Sequence, residues 1–450
     1  MAQNASSTPN RWMIALAGTI VMICLGTVYS WSIFTRPLIA AYGWSNYTTT
    51  WAFAIAIFSL GIGAVVGGRW QDRVGPRMVT TVGVVLWGLG NLLAGLGIGT
   101  LGAPWLYIAY GIIGGFGNGM AYITPIAVVT KWFPDKRGLA GGMVVMGFGL
   151  GAFIYNQIVT RGAGFAHAAK DATAFAAAKD AAAKAGTLLD PSALSALALT
   201  PADVAAISTV FVVSGIVFII IGGLCASLLR NPPAGYTVPG AIAAAANAGR
   251  SYTPGEVLRT PQFYLLWLML FLNVTAGILI ISNAVPIYSD LTGATAAVAG
   301  SVYGLLAIFN GLGRFFWGAI SDRIGRNMAY VLIFGIQVVV FFLMGSQHSL
   351  LTVGIAFAIV LLCYGGGFGV MPSFNADYFG TKYIGINYGM IITAWGFAGL
   401  VGPLVAAKVK DLTGSYTLAL PYVAGMLIVA AIIPFLTKKP ETQVAVRAVA

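Results

Sequence analysis

One arginine lies deep inside a long apolar run. In Phe309-Asn-Gly-Leu-Gly-Arg314-Phe-Phe-Trp-Gly318, part of residues 296–320, Arg314 is the one charged residue. It precedes Asp322, where a polar Asp-Arg segment begins, by eight positions, or about 12 Å along a helix. That places it near the middle of a ~30 Å apolar layer. A guanidinium there costs at least ~2.5–3.5 kcal/mol and does not escape the cost by losing its proton. A chain that keeps one there should be using it, most simply to hold an anion. No companion suggests catalysis: neither His167 nor His348 falls in an apolar run, and Cys24, Cys225 and Cys363 are scattered through the spans. The thiols read as packing, and neither a metal site, a cofactor nor an enzyme is expected.

The elements that must position Arg314 are membrane helices. The chain is 58% hydrophobic and only 8% charged, where a soluble protein is near 25% charged. Apolar runs long enough to span recur at 13–38, 48–68, 78–98, 105–130, 139–160, 206–229, 262–288, 296–320, 328–345, 351–373, 385–407 and 417–437. They predict an all-α membrane protein of twelve helices. The net charge of +12 does not mark a nucleic-acid binder, because the basic residues are spread between helices. With the N-terminus inside, sixteen cations fall on the cytoplasmic side and seven opposite, which predicts both termini in the cytoplasm of a cell membrane. The polar start leads into the first span with no small-residue cleavage site, so no signal peptide is expected.

The second half repeats the first. Gly318-Ala-Ile-Ser-Asp322-Arg323-Ile-Gly325-Arg326 echoes Gly68 to Arg77 at a displacement of 250. Gly366-Gly-Phe368-Gly369 echoes Gly114-Gly-Phe116-Gly117 at 252, and Phe379-Gly-Thr-Lys382 echoes Phe133-Pro-Asp-Lys136 at 246. The reading is an N-terminal six-helix bundle over 11–230, a cytoplasmic linker over 231–258 and a C-terminal six-helix bundle over 259–440. Such repeats place a substrate between the halves, near the midplane. Residues 162–204 interrupt the pattern. This Ala-rich, polar stretch predicts one or two short external surface helices, with Thr200-Pro201-Ala-Asp203 reading as a helix start.

These motifs resemble the major facilitator superfamily, whose signature is the Gly-x-x-x-Asp-Arg-x-Gly-x-Arg turn at 68–77 and its weaker copy after the eighth helix. More narrowly, Trp132-Phe-Pro-Asp-Lys-Arg-Gly-Leu-Ala140, Arg259-Thr-Pro-Gln-Phe263, Asn310-Gly-x-x-Arg314 and Phe316-Trp-Gly-x-x-Ser-Asp322 resemble the oxalate:formate antiporter family and bacterial relatives of the lactate and pyruvate transporters. The resemblance implies a secondary transporter. It implies a cavity lined by Tyr29, Tyr122, Arg314, Tyr364 and Phe368, to which Asn118 and Asn310 are added as polar groups of the same helices. It gives Asp72, Arg73, Asp322 and Arg323 a gating role. Oxalate exchangers of that family carry a lysine in helix eleven, and the matching position here is Trp395.

One fixed cation balances one carboxylate. A dianion would leave its second carboxylate uncompensated, at several kcal/mol, whereas Trp395 offers an apolar wall. The expected substrate is therefore a small monocarboxylate such as lactate, pyruvate or formate, with oxalate:formate exchange the alternative and a transport-inactive carboxylate sensor a third reading. All twelve acids lie in loops or near helix ends. Proton symport and anion exchange both stay open, and Asp290, at the outer end of the seventh helix, is the acid nearest a span. The expected partners are the small carboxylate, protons and the lipid bilayer, with the chain acting as a monomer.

Overall fold

The computed structural model describes residues 9–185, 199–238, 250–413 and 418–440. Eleven helical segments in it are long and apolar enough to cross a membrane, and one of them, Pro76–Trp132, has 57 residues. That segment breaks at Gly102, whose backbone (φ 68°, ψ −157°) is not helical. It therefore crosses twice, and the chain has the twelve expected spans. They are α1 (Arg11–Tyr42), α2 (Asn46–Val74), α3 (76–101), α4 (103–132), α5 (Arg137–Val159), α6 (Pro201–Leu228), α7 (Pro261–Thr292), α8 (Val298–Ile324), α9 (Arg326–Met344), α10 (Leu350–Phe379), α11 (Ile384–Thr413) and α12 (Ala419–Leu436).

The helices pair by a two-fold rule. Within the first six, α1 packs on α5, α2 on α4 and α3 on α6; within the second six, α7 packs on α11, α8 on α10 and α9 on α12. Two pairs then make the main joint between the halves, α2 with α11 and α5 with α8. Both depend on glycine. A Cβ on Gly68 would stand 2.2 Å from the Gly385 carbonyl oxygen, and one on Gly138 would stand 2.1 Å from that of Gly318. Without side chains the backbones come into contact, which is how membrane helices gain packing in the absence of a hydrophobic drive.

The repeated signature folds into the same turn twice. Gly75 (φ 90°, ψ 171°) ends α2 and Gly325 (φ 86°, ψ 155°) ends α8. A positive φ of this size is a glycine conformation. The helix start read at Thr200 is present as a full capping box, with Thr200 and Asp203 each bonding the other's backbone N–H. The interrupting stretch forms one 23-residue helix, Ala163–Ala185, where one or two short helices were expected; residues 186–198 lie outside the described set. Alanine has the highest intrinsic helix propensity, so a polar Ala-rich run extends further than its lack of an apolar face suggests. His167 fastens this helix to α6, its Nδ1 lying 2.8 Å from Asp203 Oδ1 and 3.3 Å from Asp171 Oδ2. Of the expected linker, 231–238 and 250–258 are described, including the capped single turn Pro254–Val257.

Candidate functional site

Arg314 is fully buried where the halves meet. Asn310, one turn earlier on α8, accepts a hydrogen bond from its Nε at 3.1 Å and so sets the plane of the guanidinium. Phe368 from α10 and Phe148 from α5 cover the group, with ring centroids 4.6 and 5.3 Å from the guanidinium carbon. Both terminal nitrogens, NH1 and NH2, are buried without any hydrogen-bond partner. No ion pair to Arg314 exists among the described residues. The side chain is held and stacked, yet its terminal nitrogens face no carboxylate or carbonyl acceptor among the described residues; the oxygen beside them is the hydroxyl of Tyr122.

An aromatic box surrounds that edge. Trp395 of α11 is fully buried, with ring centroids 4.9 Å from Phe368, 5.3 Å from Phe148, 5.4 Å from Tyr122 and 5.7 Å from Tyr29. Tyr29 lies in a tight 3₁₀ segment, Thr27–Trp31, between two α-helical stretches of α1. Its hydroxyl meets that of Tyr364 from α10 at 2.8 Å, bridging the halves. The Tyr122 hydroxyl lies beside Arg314 and Tyr388. The Tyr122 and Tyr388 hydroxyls and the Trp395 ring nitrogen are all buried without a satisfied hydrogen bond. Unmet buried donors of this kind each cost about 1–3 kcal/mol, and a cluster of them around an unpaired guanidinium is a site shaped for acceptor oxygens.

Seven of the eight binding residues expected from the sequence thus converge: Arg314, Asn310, Tyr29, Tyr122, Tyr364, Phe368 and Trp395. Asn118 is engaged elsewhere. Its Nδ2 donates to the Leu25 carbonyl at 2.9 Å, tying α4 to α1, while its Oδ1 has no partner. Phe148 and Tyr388 were not foreseen. Phe148 sits in Gly147-Phe-Gly149, the same tripeptide as Gly367-Phe368-Gly369, and that match was the available signal. Its weakness is that Gly115-Phe116-Gly117 has the same form outside the box. Asp290 is exposed near the C-terminal end of α7.

On the face bearing the linker, the two signature aspartates bridge the halves. Asp72 accepts hydrogen bonds from the backbone N–H groups of Gly385 (3.2 Å) and Ile386 (2.9 Å) at the start of α11. Asp322 accepts from those of Gly138 and Leu139, both at 2.9 Å, at the start of α5. Each carboxylate therefore caps a helix of the opposite half, where free N–H groups and the helix dipole favour negative charge. Arg73 and Arg323 are exposed and form no ion pair among the described residues.

The family model described as Major Facilitator Superfamily matches residues 16–159 and 177–403. The chain belongs to the Major Facilitator Superfamily. It is 28% identical over 410 residues to the oxalate:formate antiporter of Oxalobacter formigenes, covering 90% of this chain and 87% of that one. It is 25% identical over 470 aligned positions to apicoplast pyruvate carrier 1 of Toxoplasma gondii, covering 87% and 82%. Among solved structures, the superfamily transporter FucP in its outward conformation superposes with a TM-score of 0.68 at 15% identity, over 95% of this chain and 99% of that one. This superfamily member is accordingly a multi-pass membrane transporter of a small molecule, and not an enzyme.

Proposed function

We propose that this transporter is a secondary carrier for a small monocarboxylate of the lactate, pyruvate or formate type. The observation that carries the reading is the pair of buried, unpartnered nitrogens on Arg314. A carboxylate docked there forms two parallel charge-assisted hydrogen bonds in the geometry a guanidinium favours. Tyr122 and Tyr388 are placed to donate to remaining oxygens, and Trp395 gives an alkyl or methyl group an apolar wall. With one cation and no second one in the box, a monoanion leaves no charge uncompensated. The names of the relatives support a carboxylate substrate. They also support the second reading, oxalate:formate exchange, in which the hydroxyls and the indole N–H would have to satisfy a second carboxylate.

The proposed cycle is alternating access. The Asp72 and Asp322 caps hold the linker face shut, while the Tyr29–Tyr364 bridge lies on the other side of the substrate. Substrate neutralises Arg314 and thereby lowers the cost of carrying the site through a closed state. In this reading the linker face is cytoplasmic, both termini are inside, the membrane is a bacterial inner membrane and the carrier is a monomer. A proton moves with the substrate–Arg314 pair or through Asp290, or else a second anion returns on the empty site. The proposed halves are 11–230 and 259–440, joined by 231–258, with 162–204 an external decoration.

The test is Arg314→Gln. Losing one partner of a buried charged pair costs about 2–5 kcal/mol or more, so lactate binding and counterflow in proteoliposomes should fall at least about thirtyfold while folded protein is recovered in normal yield. Retained uptake would overturn the anion-site assignment.

A further inference from the structure

We infer that the linker face carries a second anion site, for a phosphate-bearing ligand, which forms only while that face is closed. A cleft of about 460 Å³ opens there, and its lining includes Lys131, Arg137 and Lys382 but no acidic residue. Its walls come from three parts of the chain. Thr130, Lys131 and Arg137 belong to the first half at the end of α4 and the start of α5; Thr381 and Lys382 belong to the α10–α11 connection of the second half; residues 231–238 of the linker complete it. The linker wall is fixed in place. Trp132 donates its ring N–H to the Arg230 carbonyl at 2.7 Å and packs edge-on against Tyr236 at 4.8 Å.

The acids nearest the cleft are already committed. Asp377 lies 2.9 Å from both Arg137 NH1 and Arg326 Nε, and Asp135 pairs with Arg11 at 2.7 Å. Asp72, the acid that acts on Lys131, is capping α11 and accepts from Gln71 at 2.7 Å. Arg137 Nε is buried without a partner. Residues 239–249 of the linker contain no acid that could fill the gap. Lys131 and Lys382, with the unpartnered Nε of the Asp377-paired Arg137 between the same walls, surround a space much larger than one carboxylate and suit a phosphate group, which carries about −1.5 to −2 charge and three acceptor oxygens. The Thr381 hydroxyl on the cleft wall adds a donor of the kind such oxygens accept.

A ligand held by both halves at once binds the closed linker face and loses its site when the halves part. By linkage it raises the population of that closed state and slows the transport cycle. The binding itself does not rest on the monocarboxylate reading; only its effect on transport rests on alternating access.

The full-length carrier in nanodiscs of zwitterionic lipid, titrated with inorganic pyrophosphate against potassium chloride of equal ionic strength, tests this. The expected result is a saturable rise in Tm with pyrophosphate alone, kept in Arg314→Gln and lost in the double variant Lys131→Gln/Lys382→Gln. In parallel, maleimide should label Ala127→Cys, buried at the contact of the halves with Ala376 and Ile384, more slowly when pyrophosphate is present. A second arm replaces part of the lipid with phosphatidylglycerol. Stabilisation and slower labelling in that arm alone, again lost in the double variant, would identify the ligand as a lipid headgroup. No shift in either arm, or a shift unchanged in the double variant, would overturn the site.

Discussion

Two regions of this molecule hold charge between its halves, and they do so in opposite ways. At the linker face, Asp72 and Asp322 each have both carboxylate oxygens engaged by backbone N–H groups of the facing half. At the centre, Arg314 is more deeply buried, yet its two terminal nitrogens have no acceptor. Satisfied charge holds a conformation together; unsatisfied charge is a standing cost that a ligand can remove. The first arrangement is that of the proposed latch and the second that of the proposed binding site, although both sit on glycine-lined crossings of the same two helix pairs.

The contrast predicts opposite signs for removing the charge. Without ligand, Arg314→Gln should melt no lower than wild type, because it deletes an uncompensated buried cation. Asp322→Asn should melt lower, since an amide offers one neutral acceptor oxygen where Gly138 and Leu139 now bond one carboxylate oxygen each, and it also loses the 2.7 Å pair with Arg326. The expected loss is about 1–3 kcal/mol. Parallel thermal denaturation of the three proteins decides it, and equal losses in both variants would erase the distinction between latch and site.

Trp395→Lys sharpens the central half of the comparison. A second cation in the box should move the ratio of oxalate to lactate dissociation constants about tenfold towards oxalate, or ~1.4 kcal/mol. Packing lost with the indole, which touches four aromatic rings, limits the gain. A ratio that does not move in folded protein would remove Trp395 from the substrate's surroundings.

The smallest effect lies on the opposite face, where a charge contact is exposed to solvent. The hydrogen bond to Asp203, then the field of Asp171, push the His167 pKa above its ordinary value. A raised histidine pKa gives stabilisation that is complete below the unfolded value near ~6.5 and is lost as pH rises through the folded one. Hydrogen exchange of Ala163–Ala185, corrected for intrinsic rates, should therefore be faster above that window than below it. His167→Gln should abolish the difference. A helix equally protected at both pH values would show that the contact does not tether it.

What was legible in the sequence was whatever depends on period, length or a backbone requirement. Twelve apolar runs gave twelve spans, the displaced glycine–aspartate signature gave two turns of one geometry, and the isolated Arg314 gave the buried guanidinium around which the proposed site is built. What was not legible depends on helix rotation. A helix apolar on all sides does not reveal which face meets a neighbour, so Asn118, bonded to Leu25, was indistinguishable from a cavity residue, and Phe148 from a lipid-facing one. The aspartates' partners were hidden for another reason. They are backbone N–H groups of Gly138, Leu139, Gly385 and Ile386, which carry no side-chain signature.

The most direct test of the central claim is a comparison of ligands on the unmodified protein. Lactate, pyruvate and oxalate, at equal concentration, ionic strength and pH, would be measured for their stabilisation of purified wild type, because a ligand that binds the folded state raises Tm by mass action. One buried cation with one open fork predicts that the monocarboxylates stabilise more than oxalate, and that none of them stabilises Arg314→Gln. A wild type stabilised most by oxalate would contradict the pairing of one cation with one carboxylate on which the account rests.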